Sequence, residues 1–352
     1  MRREANFEVM RTLAMFFIVV YHCLTHGMGW SPVFTITDSA SAANFVFSDF
    51  LLVFASISVN LYVMVSGYFL CNATFKVSRI VRTWLNACFY SCIIASVLMA
   101  LSLVPWSFTT LGKSLFPLST DAYWFVTQYI GLLILAPFLA ILVRQLSYRQ
   151  YIALLVGGAF LCLSVIPDFP LGKRYSVTHG NSVWYFAYLF MIAGFIRHHL
   201  KPVSNGRLWA AILIVALLML GGEIGLGMQG PSVHLYWFNY NASPFVLSVL
   251  VFVYIRQCRI SATGIWKLLA RAAPYTFGVY LIHDHLLVRA WLWKSLSLTR
   301  FVHDWGYPFL ILGLCLLIFV LCAMIDVVRK KLFDVVRVDK AIAKFDRWTT
   351  LS

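Results

Sequence analysis

The chain contains a series of long apolar stretches, and these constrain its fold more than any other feature of the sequence. Each runs for roughly 17 to 25 residues, the length that an α-helix needs to cross the hydrocarbon core of a bilayer. The ten stretches are 7–27, 49–70, 83–104, 121–142, 150–166, 182–197, 208–228, 240–256, 273–294 and 305–327. We therefore predict an all-α, polytopic integral membrane protein with about ten transmembrane helices. Because the fifth, sixth and eighth stretches are short or polar, nine or eleven spans also fit the pattern.

The composition agrees with a surface that faces lipid. Only 12% of the residues are charged and 61% are hydrophobic, whereas soluble chains carry about a quarter charged residues. The net charge of +15 would suit a nucleic-acid partner if the basic residues formed one continuous patch. They lie instead in short segments at helix ends, so we expect membrane lipids and no nucleic acid as partners.

The positions of the basic residues also predict the topology, because cytoplasmic loops are enriched in Lys and Arg. With ten spans and the N-terminus inside, the outer side holds only six of the 28 basic residues. These six are Lys113, Lys173, Arg174, Arg289, Lys294 and Arg300. We therefore predict that both termini are cytoplasmic. The chain then divides into a membrane domain over 1–328 and a basic, amphipathic tail over 329–352 that lies along the inner leaflet.

Polar residues stand in the first apolar stretch, "MFFIVVYHCLTHG", where they are energetically costly and usually mark a site. Arg11 and His22 are separated by ten residues, so both project from one helix face about 16 Å apart along the axis. Ala14, Met15 and Ile18 lie between them on the same stripe. His26 is one turn beyond His22, but no third metal ligand is evident, so we predict no metal. A histidine that is hydrogen-bonded only for helix packing is the alternative.

Two later stretches carry further buried polar groups. The ninth, "APYTFGVYLIHDHLLVRAWLW", places His283 and Asp284 about halfway across if it forms one continuous helix. With His285 they make three consecutive polar residues, which point to different sides of a helix and cannot all face one site, so we expect His283 or Asp284 to pair with the first helix. Interhelical hydrogen bonding without chemistry is the alternative. Glu223, among glycines in the seventh stretch, is a weaker candidate for the bundle interior.

Basic and aromatic residues supply candidate ligand contacts. Lys76, Arg79 and Arg82 stand at three-residue spacing after the second stretch, which would make a stripe able to bind phosphates. The cytoplasmic enrichment of basic residues explains some of this pattern by itself. Trp124 lies near the start of the fourth stretch and is the best candidate for stacking on a sugar ring, although interfacial anchoring is the commoner role of such residues.

Five segments together point to a known family. They are "FEVMRTLAMFFIVVYH", with an Arg ten residues before a His, "SVNLYVMVSGYFL", "FKVSRIVRTW", "YWFVTQYIGLLILAPFL" and "YTFGVYLIH". In this order and at this spacing they resemble the acyltransferase-3 family of bacterial membrane proteins over nearly the whole chain.

The resemblance implies an O-acyltransferase, most often an O-acetyltransferase, of the bacterial cytoplasmic membrane. It would move an acyl group from cytoplasmic acyl-CoA, acetyl-CoA in the simplest case, to a hydroxyl of a cell-surface glycan or a lipid-linked saccharide. It assigns His22 as the catalytic base, Arg11 as its partner in positioning the donor, and Arg79 and Arg82 to the coenzyme A phosphates. An acyl-histidine intermediate and direct transfer are both left open.

Two other classes of protein are compatible with intramembrane His and Arg residues. A secondary transporter or flippase for a glycolipid or another anionic substrate would use an aqueous cavity and an ion gradient without acyl transfer. A membrane-embedded metal sensor or scaffold would need a third ligand that converges on His22 and His26.

Overall fold

A computed structural model describes residues 4–28, 36–120, 122–163, 182–227, 242–261 and 263–348. Within these ranges the regular structure is entirely helical, which confirms the predicted all-α class. The helices are α1 (Ala5–His26), α2 (Ser39–Ala55), α3 (Ser58–Leu70), α4 (Val77–Ala100), α5 (Phe108–Ser114), α6 (Trp124–Gln145), α7 (Tyr148–Cys162), α8 (Val183–His198), α9 (Asn205–Gly227), α10 (Ala242–Gln257), α11 (Gly264–Ala272), α12 (Thr276–His283), α13 (Leu286–Leu296), α14 (Tyr307–Val335) and α15 (Val338–Ala343).

Six segments of the described chain are long and apolar enough to cross a membrane. They are Ala5–His26, Ser39–Leu70, Val77–Ala100, Trp124–Gln145, Asn205–Gly225 and Tyr307–Val335. The helices α8 and α10 are apolar but shorter. The protein is thus a multi-pass membrane protein, while ten spans and two cytoplasmic termini stay predictions. Lys173 and Arg174, which the topology prediction placed outside, lie beyond the described residues.

The first helix, α1, occupies the centre of the bundle. It packs against α2, α3, α10, α11, α12 and α14, and side chains such as Phe7, Val19 and Leu24 are almost completely buried. A helix with neighbours on so many sides directs its polar residues at other helices instead of at lipid. This position gives His22 protein partners.

Close backbone contact joins α3 to α8. A Cβ atom added at Gly67 would lie 2.8 Å from the Cα atom of Phe190, so the absence of a side chain allows the two helices to touch. At the end of α3, the guanidinium groups of Arg197 and Arg144 donate to the carbonyls of Tyr68 and Cys71. These contacts satisfy the carbonyl groups that the helix end leaves without an intrahelical partner.

The second predicted stretch, 49–70, is two helices instead of one. Asp38 caps α2 by accepting the Ser41 N–H, and α2 therefore begins at Ser39, ten residues before the predicted start. It ends at Ala55, and α3 begins at Ser58. The hydroxyls of Ser56 and Ser58 donate to the carbonyls of Val53 and Phe54 at the break. Such local side-chain bonds compete with helix continuation.

The last long helix, α14, extends beyond the predicted span of 305–327 and past residue 328, where we expected the tail to begin. It ends at Val335, and Arg337 then adopts a left-handed conformation (φ 57°) that turns the chain. The short α15 and the 3₁₀ turn Lys344–Trp348 fold back against α4. The C-terminal segment therefore contacts the cytoplasmic basic residues predicted on α4.

Candidate active site

His22 is buried in α1 and forms a hydrogen bond with a second histidine. Its Nδ1 atom lies 2.9 Å from Nε2 of His283 on α12. On the other side of His283, the Nδ1 atom lies 2.6 Å from the Val279 carbonyl. A carbonyl only accepts, so Nδ1 of His283 carries the proton and its Nε2, in the neutral ring, must accept from His22 Nδ1–H. A neutral His22 then carries its lone pair on Nε2, the atom available as a base.

A break in the ninth predicted stretch brings the second histidine and an aspartate to the same place. The sequence predicted one helix over 273–294, but α12 ends at His283 and α13 begins at Leu286. The side chain of His285 caps α13 by accepting the Leu287 N–H at 3.2 Å. The prediction of one continuous helix over 273–294 is therefore wrong. The chain leaves helical geometry between them, and both side chains reach α1.

The Asp284 carboxylate lies at the centre of a charged cluster. Its Oδ1 atom is 3.6 Å from His22 Nδ1, 3.9 Å from His26 Nε2 and 3.4 Å from a guanidinium nitrogen of Arg289. Only 2% of Asp284 is exposed. A buried carboxylate needs a compensating positive charge, which Arg289 supplies. The carboxylate in turn can stabilise an imidazolium on His22.

The geometry around His26 also bears on metal binding. The sequence offered no third ligand, and the structure does: His22, His26 and Asp284 present one ligand atom each, all within 4.8 Å of one another. Two imidazoles and a carboxylate are a donor set that zinc accepts. The Arg289 guanidinium competes with a cation for the same Asp284 oxygen. Our expectation that no third ligand converges on the two histidines is thus wrong, while metal binding itself stays a question for experiment.

A cavity opens beside His22. It encloses about 300 Å³ of space, counting its open mouth. Its walls are Met15, Ile18 and His22 from α1, Val59 and Tyr62 from α3, Trp124 and Phe125 from α6, and Tyr280 from α12. Met15 and Ile18 are two of the residues that the sequence placed on the stripe between Arg11 and His22. The structure thus places that stripe along one wall of the cavity, and it brings Trp124 to the same space.

Arg11 lies in the N-terminal half of α1. Its guanidinium is 3.0 Å from the Glu8 carboxylate and 6.0 Å from the centre of the Phe69 ring on α3. Neither Glu8 nor Phe69 was among the predicted site residues. Arg11 keeps a partly exposed position, with 29% of its side chain accessible. It therefore holds a positive charge at the N-terminal end of the helix that carries His22, the end predicted to be cytoplasmic.

The predicted basic residues lie where α4 begins. Lys76 is the residue before α4, so only Arg79 and Arg82 are on the helix. Arg79 donates to the Thr74 carbonyl at 2.8 Å, and Arg82 pairs with Asp339 of α15 at 2.9 Å. Lys76 and Arg79 line a groove of about 290 Å³, whose remaining walls are Leu70, Ala73, Phe75, Leu133, Ala136 and Pro137. The structure thus separates Arg82 from the pair that faces the groove.

Glu223 does not join the histidine cluster. It is completely buried on α9, which packs against α2 and α10, and its charged neighbour is Asp49 of α2. The structure places Glu223 in the bundle interior, as predicted, and Asp284 beside His22. The two buried acids Asp49 and Glu223 form a separate polar contact within the bundle.

Several residues of the site did not appear among the sequence candidates. Val59 and Tyr62 line the cavity from α3, and Tyr280 does so from α12. Tyr280 precedes His283 by three residues, so helical spacing places both on one side of α12. This three-residue spacing could have identified Tyr280 as a site residue from the sequence. Nothing in the sequence pairs α3 with α1 at this depth, because contacts between distant segments carry no periodic pattern.

Comparison with known proteins identifies the class of the molecule. A family model described as an acyltransferase domain matches residues 4–327, and the match covers most of the chain. The protein is therefore a membrane acyltransferase, and it belongs to the acyltransferase-3 family. Comparisons with curated proteins and with solved structures find no match.

Proposed function

We propose that this acyltransferase moves an acyl group, in the simplest case acetyl, from cytoplasmic acyl-CoA to a hydroxyl of a cell-surface or lipid-linked glycan. The membrane would be the bacterial cytoplasmic membrane. One observation carries the proposal: His22 pairs with His283 beside Asp284, on the wall of a cavity, in a chain of the acyltransferase-3 family.

The histidine pair suits general base catalysis. A sugar hydroxyl is far too weak an acid to lose its proton unaided at neutral pH. Nε2 of His22 takes that proton while the oxygen attacks the thioester carbonyl, an effect worth about 10² to 10⁴ in rate. His283 fixes the orientation of the ring, and Asp284 stabilises the positive charge that His22 gains.

The cytoplasmic groove suits the donor. Coenzyme A carries several phosphates on a long thin arm, and Lys76 and Arg79 place positive charge at one wall of the groove. Leu133 and Pro137 of α6 also line the groove, and Pro137 interrupts the hydrogen bonding of α6 because proline has no N–H to donate to the Leu133 carbonyl. That carbonyl can accept from an amide of the donor arm. Arg11 would guide the arm along α1 toward His22.

The cavity beside His22 suits the acceptor. Tyr62, Trp124 and Phe125 present aromatic surface to it, and such surface packs against the apolar face of a sugar ring. His26, one turn beyond His22 and toward the predicted outer side, would line the path of the glycan.

The experiment is transfer of a labelled acetyl group. Purified protein in lipid vesicles receives labelled acetyl-CoA and a bacterial membrane extract that contains lipid-linked glycans, and the label in the glycan fraction is measured. We expect transfer by the wild type and a loss of at least about 10²-fold for His22→Ala. His303→Ala serves as the control, because His303 is half-exposed and its hydrogen bonds join it to Asp38 and Thr37 and not to the histidine cluster.

The outcomes separate the proposal from its alternatives. Undiminished transfer by a folded His22→Ala variant would contradict the role of the base. Movement of an unlabelled glycolipid that depends on an ion gradient, with no label transferred, would identify a transporter. Loss of transfer on treatment with a chelator, restored by zinc, would make His22, His26 and Asp284 a metal site.

A further inference from the structure

One buried hydroxyl on the cavity wall has no hydrogen-bond partner. Tyr280 is 3% exposed, and its OH group has no partner among the described residues. An unsatisfied hydroxyl in a protein interior destabilises the fold, and natural cores seldom contain one. Tyr280 lines the same cavity as His22. A hydroxyl in this position can donate to a ligand atom inside the cavity.

The first turn of α6 meets the cavity at the same wall. Trp124 and Phe125, its first two residues, line the cavity, and the preceding residue, Tyr123, makes no side-chain cap. The first N–H groups of a helix have no partner inside the helix and carry partial positive charge. The rings of Phe125 and Tyr280 lie against each other in this wall, with their centres 5.6 Å apart. A side-chain hydroxyl and the N-terminal turn of a helix, both hydrogen-bond donors, therefore meet at the same wall of the cavity.

We infer that the Tyr280 hydroxyl and the N-terminal turn of α6 form an oxyanion site that holds the carbonyl oxygen of the acyl group during transfer. This inference rests on the proposed acyl transfer and adds a catalytic residue and a substrate atom to it. Tyr280 contacts the reacting group directly, whereas His283 and Asp284 act through His22.

In this site, acyl transfer proceeds through a tetrahedral intermediate. The acceptor oxygen forms a bond to the acyl carbon and gives its proton to His22, while the π electrons of the carbonyl move onto its oxygen. Tyr280 and the α6 amide donate to that oxyanion. When the carbonyl re-forms, the C–S bond breaks, and the coenzyme A sulfur takes the proton from His22. An acyl-histidine route passes through the same kind of tetrahedral oxyanion, so the site serves both routes.

The neighbouring Tyr123 supplies a matched control. Its ring centre is 6.0 Å from that of Tyr280, but its hydroxyl donates to the Leu281 carbonyl at 2.9 Å. Tyr280→Phe removes a hydroxyl without a partner, so the thermal stability of the protein should stay the same or rise. Tyr123→Phe breaks a buried hydrogen bond, so the thermal stability should fall. A purely structural role for Tyr280 would give the opposite order.

The kinetic test uses the labelled acetyl-CoA assay. We expect Tyr280→Phe to lower kcat by about 10²-fold or more, the usual effect of removing one oxyanion donor, with little change in KM. Tyr123→Phe should stay close to the wild-type kcat. Equal kcat values for Tyr280→Phe and the wild type would overturn the oxyanion site.

A spectroscopic test reads the site without turnover. Infrared spectra of acetyl-CoA labelled with ¹³C at the acetyl carbonyl should show a lower stretching frequency when it is bound to the wild type, and Tyr280→Phe should reverse most of this shift. An unshifted carbonyl, or no binding at all, would count against the site. A shifted carbonyl in a wild-type protein that transfers nothing would instead contradict the proposed function and leave the oxyanion site standing.

Discussion

At the scale of single residues, the site depends on the order in which hydrogen bonds are donated. The Val279 carbonyl fixes the proton on His283, His283 fixes the proton on His22, and Nε2 of His22 is left with the lone pair. Asp284 places a negative charge beside this series of hydrogen bonds but forms none of them, because its Oδ1 atom lies 3.6 Å from Nδ1 of His22. The three polar residues therefore have different tasks.

The charge of Asp284 should be essential for turnover. Asp284→Asn keeps the shape of the side chain but removes the charge that stabilises an imidazolium on His22, so we expect kcat for acetyl transfer to fall by about 10²-fold. Asp304→Asn, at an exposed acid, is the control and should have no effect. An Asp284→Asn enzyme with wild-type kcat would show that the charge is not needed.

Arg79 should contribute to donor affinity. We expect Arg79→Ala to weaken binding of coenzyme A about tenfold, which corresponds to the loss of about one charge-assisted hydrogen bond. Isothermal titration calorimetry measures this affinity directly. Arg149→Ala, which changes an exposed basic residue at the start of α7, tests whether the loss of any other exposed basic residue has the same effect. Equal affinities for the wild type and Arg79→Ala would exclude Arg79 from the donor site.

At the scale of elements, the packing of α12 on α14 holds His283 in place. Gly278 of α12 lies directly against Asp326 of α14, whose carboxylate accepts from Tyr90 at 2.7 Å and from Arg329 at 2.7 and 3.0 Å. The absence of a side chain at Gly278 thus lets a buried ion pair sit against the helix that carries the site.

Gly278→Ala should destabilise the protein. The added Cβ atom would lie 2.2 Å from the Asp326 carboxyl group, so the ion pair or the helix must move, and we expect a loss of about 1 to 3 kcal/mol. Thermal unfolding in detergent measures the change. Gly221→Ala on α9, where a Cβ atom meets nothing within 4 Å, should be neutral or stabilising. A Gly278→Ala protein as stable as Gly221→Ala would refute the packing argument.

The C-terminal segment should detach from α4 in acid. Asp346 accepts the Ser78 N–H and hydroxyl, each at 2.8 Å. Slight burial acts to raise the pKa of Asp346, but the Ser78 hydrogen bonds and the charges of Lys76 and Arg79 hold it below its ordinary value. Because the pKa of Asp346 is lowered in the folded state, its carboxylate stabilises the docked segment fully above the unfolded-state pKa of about 3.9. This stabilisation is lost as the pH falls through the lower folded-state pKa.

Hydrogen exchange of residues 338–348 tests this contact. Protection should be the same at pH 7 and pH 5 and should fall below about pH 4. Asp346→Ala should remove it at every pH. Asp339→Asn should change it little, because the Arg82–Asp339 pair is more than half exposed and such pairs contribute little. Persistent protection in Asp346→Ala would assign the docking to other contacts.

At the scale of the whole molecule, the distribution of basic residues predicts an even number of spans with both ends in the cytoplasm. The structure provides an exposed residue for labelling on each predicted side of the membrane. About half of the His303 side chain is accessible, and so is 61% of Asp339.

Cysteine labelling measures this topology. A membrane-impermeant maleimide should label His303→Cys in intact cells, because residue 303 lies between the last two predicted spans. Asp339→Cys should react only after the cells are permeabilised. The chain without an added cysteine corrects for its own eight cysteines. Labelling of position 339 in intact cells would place the C-terminus outside and overturn the even count.

The sequence by itself determined the helical membrane class and the stripe from Arg11 to His22, because hydrophobic length and helical periodicity are local properties of the chain. Two of the stripe residues, Met15 and Ile18, indeed line the cavity with His22. Only the tertiary structure decided the break after His283, the approach of Asp284 to α1 and the place of Tyr280. The contact of His283 with His22 joins residues 261 positions apart in the chain, and the apolar sequence on both sides of the break gave no sign that the helix would end there.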